Sequence, residues 1–152
     1  MDYSSGPLDQ FTGTTDIEQC RNWDRFYEVT SEEIERHLRL FEQNSNYDEA
    51  SIPKGVKEWP ARGNPFFESV FGFELPLTAQ GLADFYDENE DGIYNPLDGD
   101  YPAIFQEGCD VPSIPDQMIF WIFNDAGGVH TCLLYTSPSP RDRTRSRMPS
   151  SA

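Results

Sequence analysis

An α+β fold, loop-rich and incomplete, is what these 152 residues predict, and three stretches carry the prediction. Residues 31–42 read as a capped amphipathic helix, residues 87–98 as an oxygen-rich loop entered from a short helix over 79–86, and residues 117–123 as one buried strand. One good strand cannot build a sheet alone. The chain therefore reads as the N-terminal part of a domain whose sheet is completed by further sequence.

The first helix is the best specified. Thr30 is a favourable N-cap with Glu33 three residues on, the capping-box arrangement, and Val29 and Ile34 are placed to clasp across it. Ile34, Leu38 and Phe41 recur at helical spacing, with Leu40 widening the stripe. His37, beside Arg36 and Arg39, falls off that stripe and is expected to be exposed. Upstream, residues 1–22 carry Gly6-Pro7 and Gly13 and read as extended loop.

Downstream, residues 43–73 hold Asn, Pro and Gly at intervals that forbid long regular elements, yet interleave Tyr47, Trp59, Phe66, Phe67, Phe71 and Phe73. Those rings must bury against something. The short second helix is expected after Thr78, with Leu82 and Phe85 facing inward, and the Tyr101-Pro102-Ala103-Ile104 segment is expected to be extended. The apolar run Gln117-Met-Ile-Phe-Trp-Ile-Phe123 has the length and aromatic content of a buried strand and ends at the turn signals Asn124 to Gly128.

In the loop, oxygen-bearing side chains stand at positions one, three, five, nine and twelve (Asp87, Asn89, Asp91, Asn95, Asp98), Gly92 is sixth and Ile93, seventh, offers its carbonyl. This is the spacing of an EF-hand-type calcium loop, in which alternate residues of one curled segment turn inward to give a hard cation six to eight oxygens. The loop closes with Asp98 where Glu is usual, a variant that resembles the calcium loops of dockerin modules. Gly99-Asp100-Tyr101-Pro102 cannot begin a helix, so a paired EF-hand is not expected. The competing reading is a solvated Asp/Asn/Gly turn that needs no metal. Against it, Asp87, Asp91, Asp98, Asp100, Glu88 and Glu90 repel one another unless a cation lies among them.

Residues 132–152 resemble the in-frame translation of a transposase-type sequencing-library adapter, up to Asp142, followed by a flow-cell primer from Ser146, with room for an index between. They are set aside as a non-native, disordered tail, leaving residues 1–131 as the fragment of interest. Without the tail's four Arg and one Asp, Lys plus Arg falls from 11 to 7 and Asp plus Glu from 27 to 26, a net of about −19. Such a charge argues against nucleic acid and anionic membranes as partners. No apolar run approaches the roughly 20 residues of a membrane span. Cys20 and Cys109 leave two readings open, a disulfide closing a long loop in an exported protein or two buried thiols; Cys132 lies in the tail and is not counted.

Taken as a series, Cys20-Arg-Asn-Trp-Asp-Arg25, Ile52-Pro53, Trp59-Pro-Ala-Arg-Gly-Asn64, the oxygen-rich loop with Gly99-Asp-Tyr-Pro102, Phe123-Asn-Asp125 and His130 resemble one recurring region. It belongs to very large bacterial surface or secreted proteins that use the type IX secretion system and end in a C-terminal sorting domain. The resemblance covers roughly residues 6–131 and implies an extracellular or cell-surface location.

Three functional readings follow. The first is a non-catalytic, calcium-stabilised extracellular module of an adhesin-like surface protein. The second is binding of carbohydrate or of other surface proteins through exposed aromatics, with Trp23, Trp59, Trp121 and Tyr94 as candidates and core packing as the alternative for each. The third is a fragment of a secreted hydrolase. The chain contains no His-Glu-x-x-His, no Gly-x-Ser-x-Gly and no phosphate-binding loop, and in so acidic a chain carboxylate pairs say little about catalysis. His130 and Asp125 read either as a polar site or as a turn held by a hydrogen bond.

Overall fold

In the computed structural model, residues 3–78 and 81–125 are described. In chain order the elements are β1 (Ser4–Ser5), α1 (Ile17–Trp23), β2 (Tyr27–Thr30), α2 (Ser31–Gln43), α3 (Lys54–Lys57), α4 (Phe67–Phe71), β3 (Phe85–Tyr86), β4 (Tyr101–Pro102), β5 (Gln117–Phe120) and β6 (Phe123–Asn124). The fold is α+β, with short helices and small antiparallel strand pairs. The chain divides into two units.

The first unit gathers the described parts of Met1–Arg25, Pro76–Gln80 and Trp121–Ala152. Its sheet pairs Ser4 with Asn124 and Ser5 with Phe123. Gly6, at φ +100°, donates its N–H to the Ile122 carbonyl, and the Asn124 amide returns a bond to the Gly6 carbonyl. A Cβ on Gly6 would press on the Gln19 carbonyl of α1, so glycine serves both the backbone angle and the close approach. α1 corrects the expectation of loop over residues 1–22. Asp16 caps it by accepting from the Gln19 N–H, and Cys20 and Trp23, one turn apart, are buried. Cys109 is an exposed free thiol, so neither reading of the cysteine pair holds for it; Cys20 is fully buried and disulfide-bonded.

The second unit comprises Phe26–Leu75 and Gly81–Phe120. β5 does find a partner, namely β2, antiparallel from Tyr27 opposite Phe120 to Thr30 opposite Gln117. Tyr27, Val29 and Met118 face inward while Glu28 and Ile119 face out, the period-two pattern of a half-covered ladder. The expected strand over 117–123 is therefore broken. Its first four residues pair with β2 and its end with β1, and Trp121 between them is 51% exposed rather than in a core.

α2 begins where the sequence places it. Thr30 Oγ1 accepts from the Glu33 N–H, and Glu33 reaches back to the Thr30 N–H at 3.1 Å, completing the box. The same carboxylate also takes the Gly55 N–H at 2.9 Å, fastening α3 to the start of α2. Gly55 is required there, since a Cβ would collide with Glu33 and Val29. Beneath lie Val29, Ile34, Val56, Ala61, Phe67 and Tyr94, all buried. Tyr27, Phe67, Phe71 and Phe73 form a ring cluster, with the Phe67 and Phe71 centroids 4.6 Å apart.

The helix expected over 79–86 does not form in its described part. Gly81 sits at φ +79°, the Ala83 N–H is taken by the Pro60 carbonyl, and Phe85–Tyr86 pair as a strand with β4. These are long-range bonds that a helix would forfeit. Leu82 and Phe85, only partly buried, stand on extended backbone.

Candidate metal centre

Residues 87–100 connect β3 to β4, whose ladder pairs Phe85 with Pro102 and Tyr86 with Tyr101. The oxygen-rich segment is thus the loop of a hairpin, neither entered nor left by a helix.

Its first half is wound by its own side chains. Asp87 accepts from the Asp91 N–H at 3.3 Å on Oδ1 and from the Gly92 N–H at 2.6 Å on Oδ2. Asn89 Oδ1 accepts from the Asp91 N–H at 3.2 Å, and Asp91 Oδ1 from the Ile93 N–H at 2.8 Å. Side chains at alternate positions therefore curl onto backbone N–H groups ahead of them, the habit of Asp and Asn in tight turns. Gly92 has φ +79° and Glu90 φ +58°, so two left-handed residues bend the chain here. Each carboxylate oxygen that accepts one N–H keeps a lone pair for a cation.

The second half is turned on itself. Asn95 Oδ1 accepts from the Leu97 N–H and caps the one-turn helix Pro96–Asp98, while its amide donates to Asp98 Oδ2 at 2.8 Å. Asn89 likewise donates to Asp91 Oδ2 at 3.0 Å. The six predicted ligands therefore lie in two groups, Asp87, Asn89 and Asp91 with the Ile93 backbone, and Asn95 with Asp98. Among the described residues, no three His, Cys, Asp or Glu side chains converge as metal ligands do. The donors fit calcium in type and order; the first half is wound on itself, and in the second half the Asn95 amide occupies Asp98 Oδ2 and leaves Asp98 Oδ1 as an acceptor.

What joins the halves is Asp100, two residues past the last of the predicted ligands. Fully buried, it accepts from the Glu88 N–H on Oδ1 at 2.9 Å and from the Asn95 N–H on Oδ2 at 2.8 Å. Burial raises its pKa; the two N–H bonds pull it back, and the charges of Asp87 and Asp91 raise it further. Gly99 at φ +101° makes the turn that aims it inward, with Phe41 packed against that glycine.

Two more groups seat the loop. Tyr94 is fully buried, donates its hydroxyl to the Val56 carbonyl at 2.6 Å and its N–H to the Arg62 carbonyl at 2.7 Å. Burial drives its pKa well above the usual tyrosine value, so it stays a neutral donor. His37 overturns the expectation of exposure. It is fully buried, with Nδ1 2.6 Å from the Tyr47 hydroxyl and Nε2 2.9 Å from the Asp100 carbonyl. A carbonyl only accepts, so Nε2 carries the proton and Nδ1 accepts from Tyr47. Burial lowers the His37 pKa and lifts Tyr47 to about 12, which keeps both neutral.

The aromatic candidates separate sharply. Trp23, Trp59 and Tyr94 are core residues at 1, 4 and 0% exposure, and Trp59 spends its indole N–H on the Asp84 carbonyl. Asp125 is exposed, and His130 lies outside the described residues, as does the tail from 132. No protein-family model matches the chain, and neither a curated protein nor a solved structure shows significant similarity to it.

Proposed function

We propose that this chain is a non-catalytic, calcium-stabilised extracellular module of a secreted or cell-surface, adhesin-like bacterial protein. The observation that supports it is the first half of the 87–98 loop, already curled through Asp87, Asn89 and Asp91 on a hairpin closed by β3 and β4. Calcium would be held by those three side chains, the Ile93 carbonyl, Asn95 and Asp98. Binding would relieve the repulsion among acids that the fold crowds together. The extracellular assignment rests on the resemblance to type IX secreted surface proteins, and the near-millimolar calcium expected outside cells makes even a modest site useful. At a hundredfold excess over Kd, ligand adds about 2.7 kcal/mol to the folded state, a large share of a typical 5–15 kcal/mol.

The test is thermal unfolding of the full chain in millimolar calcium and in excess chelator. The melting temperature rises with calcium, and Asp87→Ala combined with Asp91→Ala removes the rise. Coincident curves for the unmutated chain would refute the reading.

A second reading, binding of carbohydrate or surface proteins, loses three of its four aromatic candidates to the core. It keeps support from a different place in the first unit, where Phe11 is 81% exposed beside a polar cleft.

A further inference from the structure

The first unit holds a cleft of about 520 Å³ between the 9–16 turn and Pro76–Leu77, within the size range of small-ligand sites. The turn is rigidly built. The Asp9 N–H bonds the Thr14 carbonyl at 2.9 Å, the Gly13 N–H bonds the Asp9 carbonyl at 2.9 Å, and Asp9 pairs with Thr78 across a β-bridge that fixes the opposite wall. Asp9 Oδ1 takes three bonds, from the Phe11 and Thr12 N–H groups and the Thr12 hydroxyl, and these hold its pKa below the usual carboxylate value. All three fall on one oxygen, so Oδ2 remains an acceptor. Asp16, capping α1 through Oδ1, presents a second such oxygen.

We infer that this cleft is a subsite for a neutral saccharide, with Phe11 as the apolar platform and Asp9, Thr14, Asp16 and Gln19 as the hydroxyl-reading groups. This rests on the second functional reading and is independent of calcium. The lining contains no Lys or Arg and two carboxylates, which excludes an anionic ligand. A cationic side chain brings only donors and would leave the Gln19 amide N–H unused, whereas sugar hydroxyls both donate and accept. Phe11 at 81% and Leu77 at 63% exposure are large apolar groups left in water at the cleft, and an aromatic face of this kind covers the C–H face of a sugar ring. Thr15, also in the lining, has its Oγ1 buried without a hydrogen-bond partner among the described residues; a small shift toward a bound hydroxyl satisfies it.

The experiment is a titration of the full chain, with and without calcium, against neutral oligosaccharides of several linkages and against a Lys-rich peptide. At least one neutral saccharide binds, and Phe11→Ala, at a position too exposed to matter for folding, weakens it about tenfold. Gln19→Ala weakens it as well. Saccharide binding that ignores Phe11→Ala would overturn the cleft while sparing the carbohydrate reading; no saccharide binding, or binding of the peptide alone, would overturn both.

Discussion

At the start of α2, Thr30 and Glu33 satisfy each other's N–H and hydroxyl groups across three residues. At the 87–100 loop, the bonds that seat the connection reach 38 residues, from Tyr94 to Val56, and 63, from His37 to Asp100. The helix start is thus a local device, set by which residues stand three apart. The loop's curl is local too, but its anchorage belongs to the tertiary structure. The difference teaches where each part fails: a cap lost from α2 frays one turn, whereas a lost anchor under the loop strands buried polar groups that have no other partner nearby.

The largest effect is therefore expected at Asp100. Asp100→Ala leaves the Glu88 and Asn95 N–H groups without their acceptor and costs about 3 kcal/mol or more in urea unfolding. It also blunts any calcium response by letting the two halves of the loop separate. A cost below about 1 kcal/mol would mean that the loop stands without its clip.

Next comes His37, through pH. Its pKa is lowered by burial from an ordinary value of 6.5, so the folded state binds fewer protons than the unfolded chain. Its stabilisation is complete above 6.5 and is lost as pH falls through that value toward the depressed one. Unfolding measured across pH 7.5 to 5 will show this loss, and His37→Gln will flatten it. A profile unchanged by the substitution would place the acid sensitivity elsewhere.

Thr30→Ala tests the local side of the contrast and costs about 1 kcal/mol, the usual value of a helix cap. Smallest is Glu49→Ala, which removes the 2.7 Å bond to Lys57. That pair is partly exposed and its loss costs less than about 1 kcal/mol.

The same contrast explains what was legible in the sequence. α2 was, to within a residue at its C-terminal end, because capping and periodicity are short-range signals. The Asp/Asn/Gly turns within residues 87–93 are short-range as well, and the sequence offered them both as a calcium loop and as a turn that needs no metal. The role of Asp100 was not, since nothing in Gly99-Asp100 says that both of its oxygens will find N–H groups 12 and 5 residues back. Burial of His37 depended on Tyr47 and on the Asp100 carbonyl arriving from elsewhere. β2 was not legible, since it is four residues long and its partner lies nearly ninety residues away. The helix expected over 79–86 lost to Pro60 and β4, a competition that local propensity does not register.

The central claim, that calcium completes the 87–98 loop, is tested most directly by calorimetric titration of calcium into chelator-treated full chain. One site with micromolar affinity, absent in Asp87→Ala with Asp91→Ala, is the predicted result, together with a rise of roughly 5–10 °C in Tm. No binding heat and no shift in Tm at millimolar calcium would contradict it and leave an acidic hairpin turn held by Asp100, Tyr94 and its own side chains.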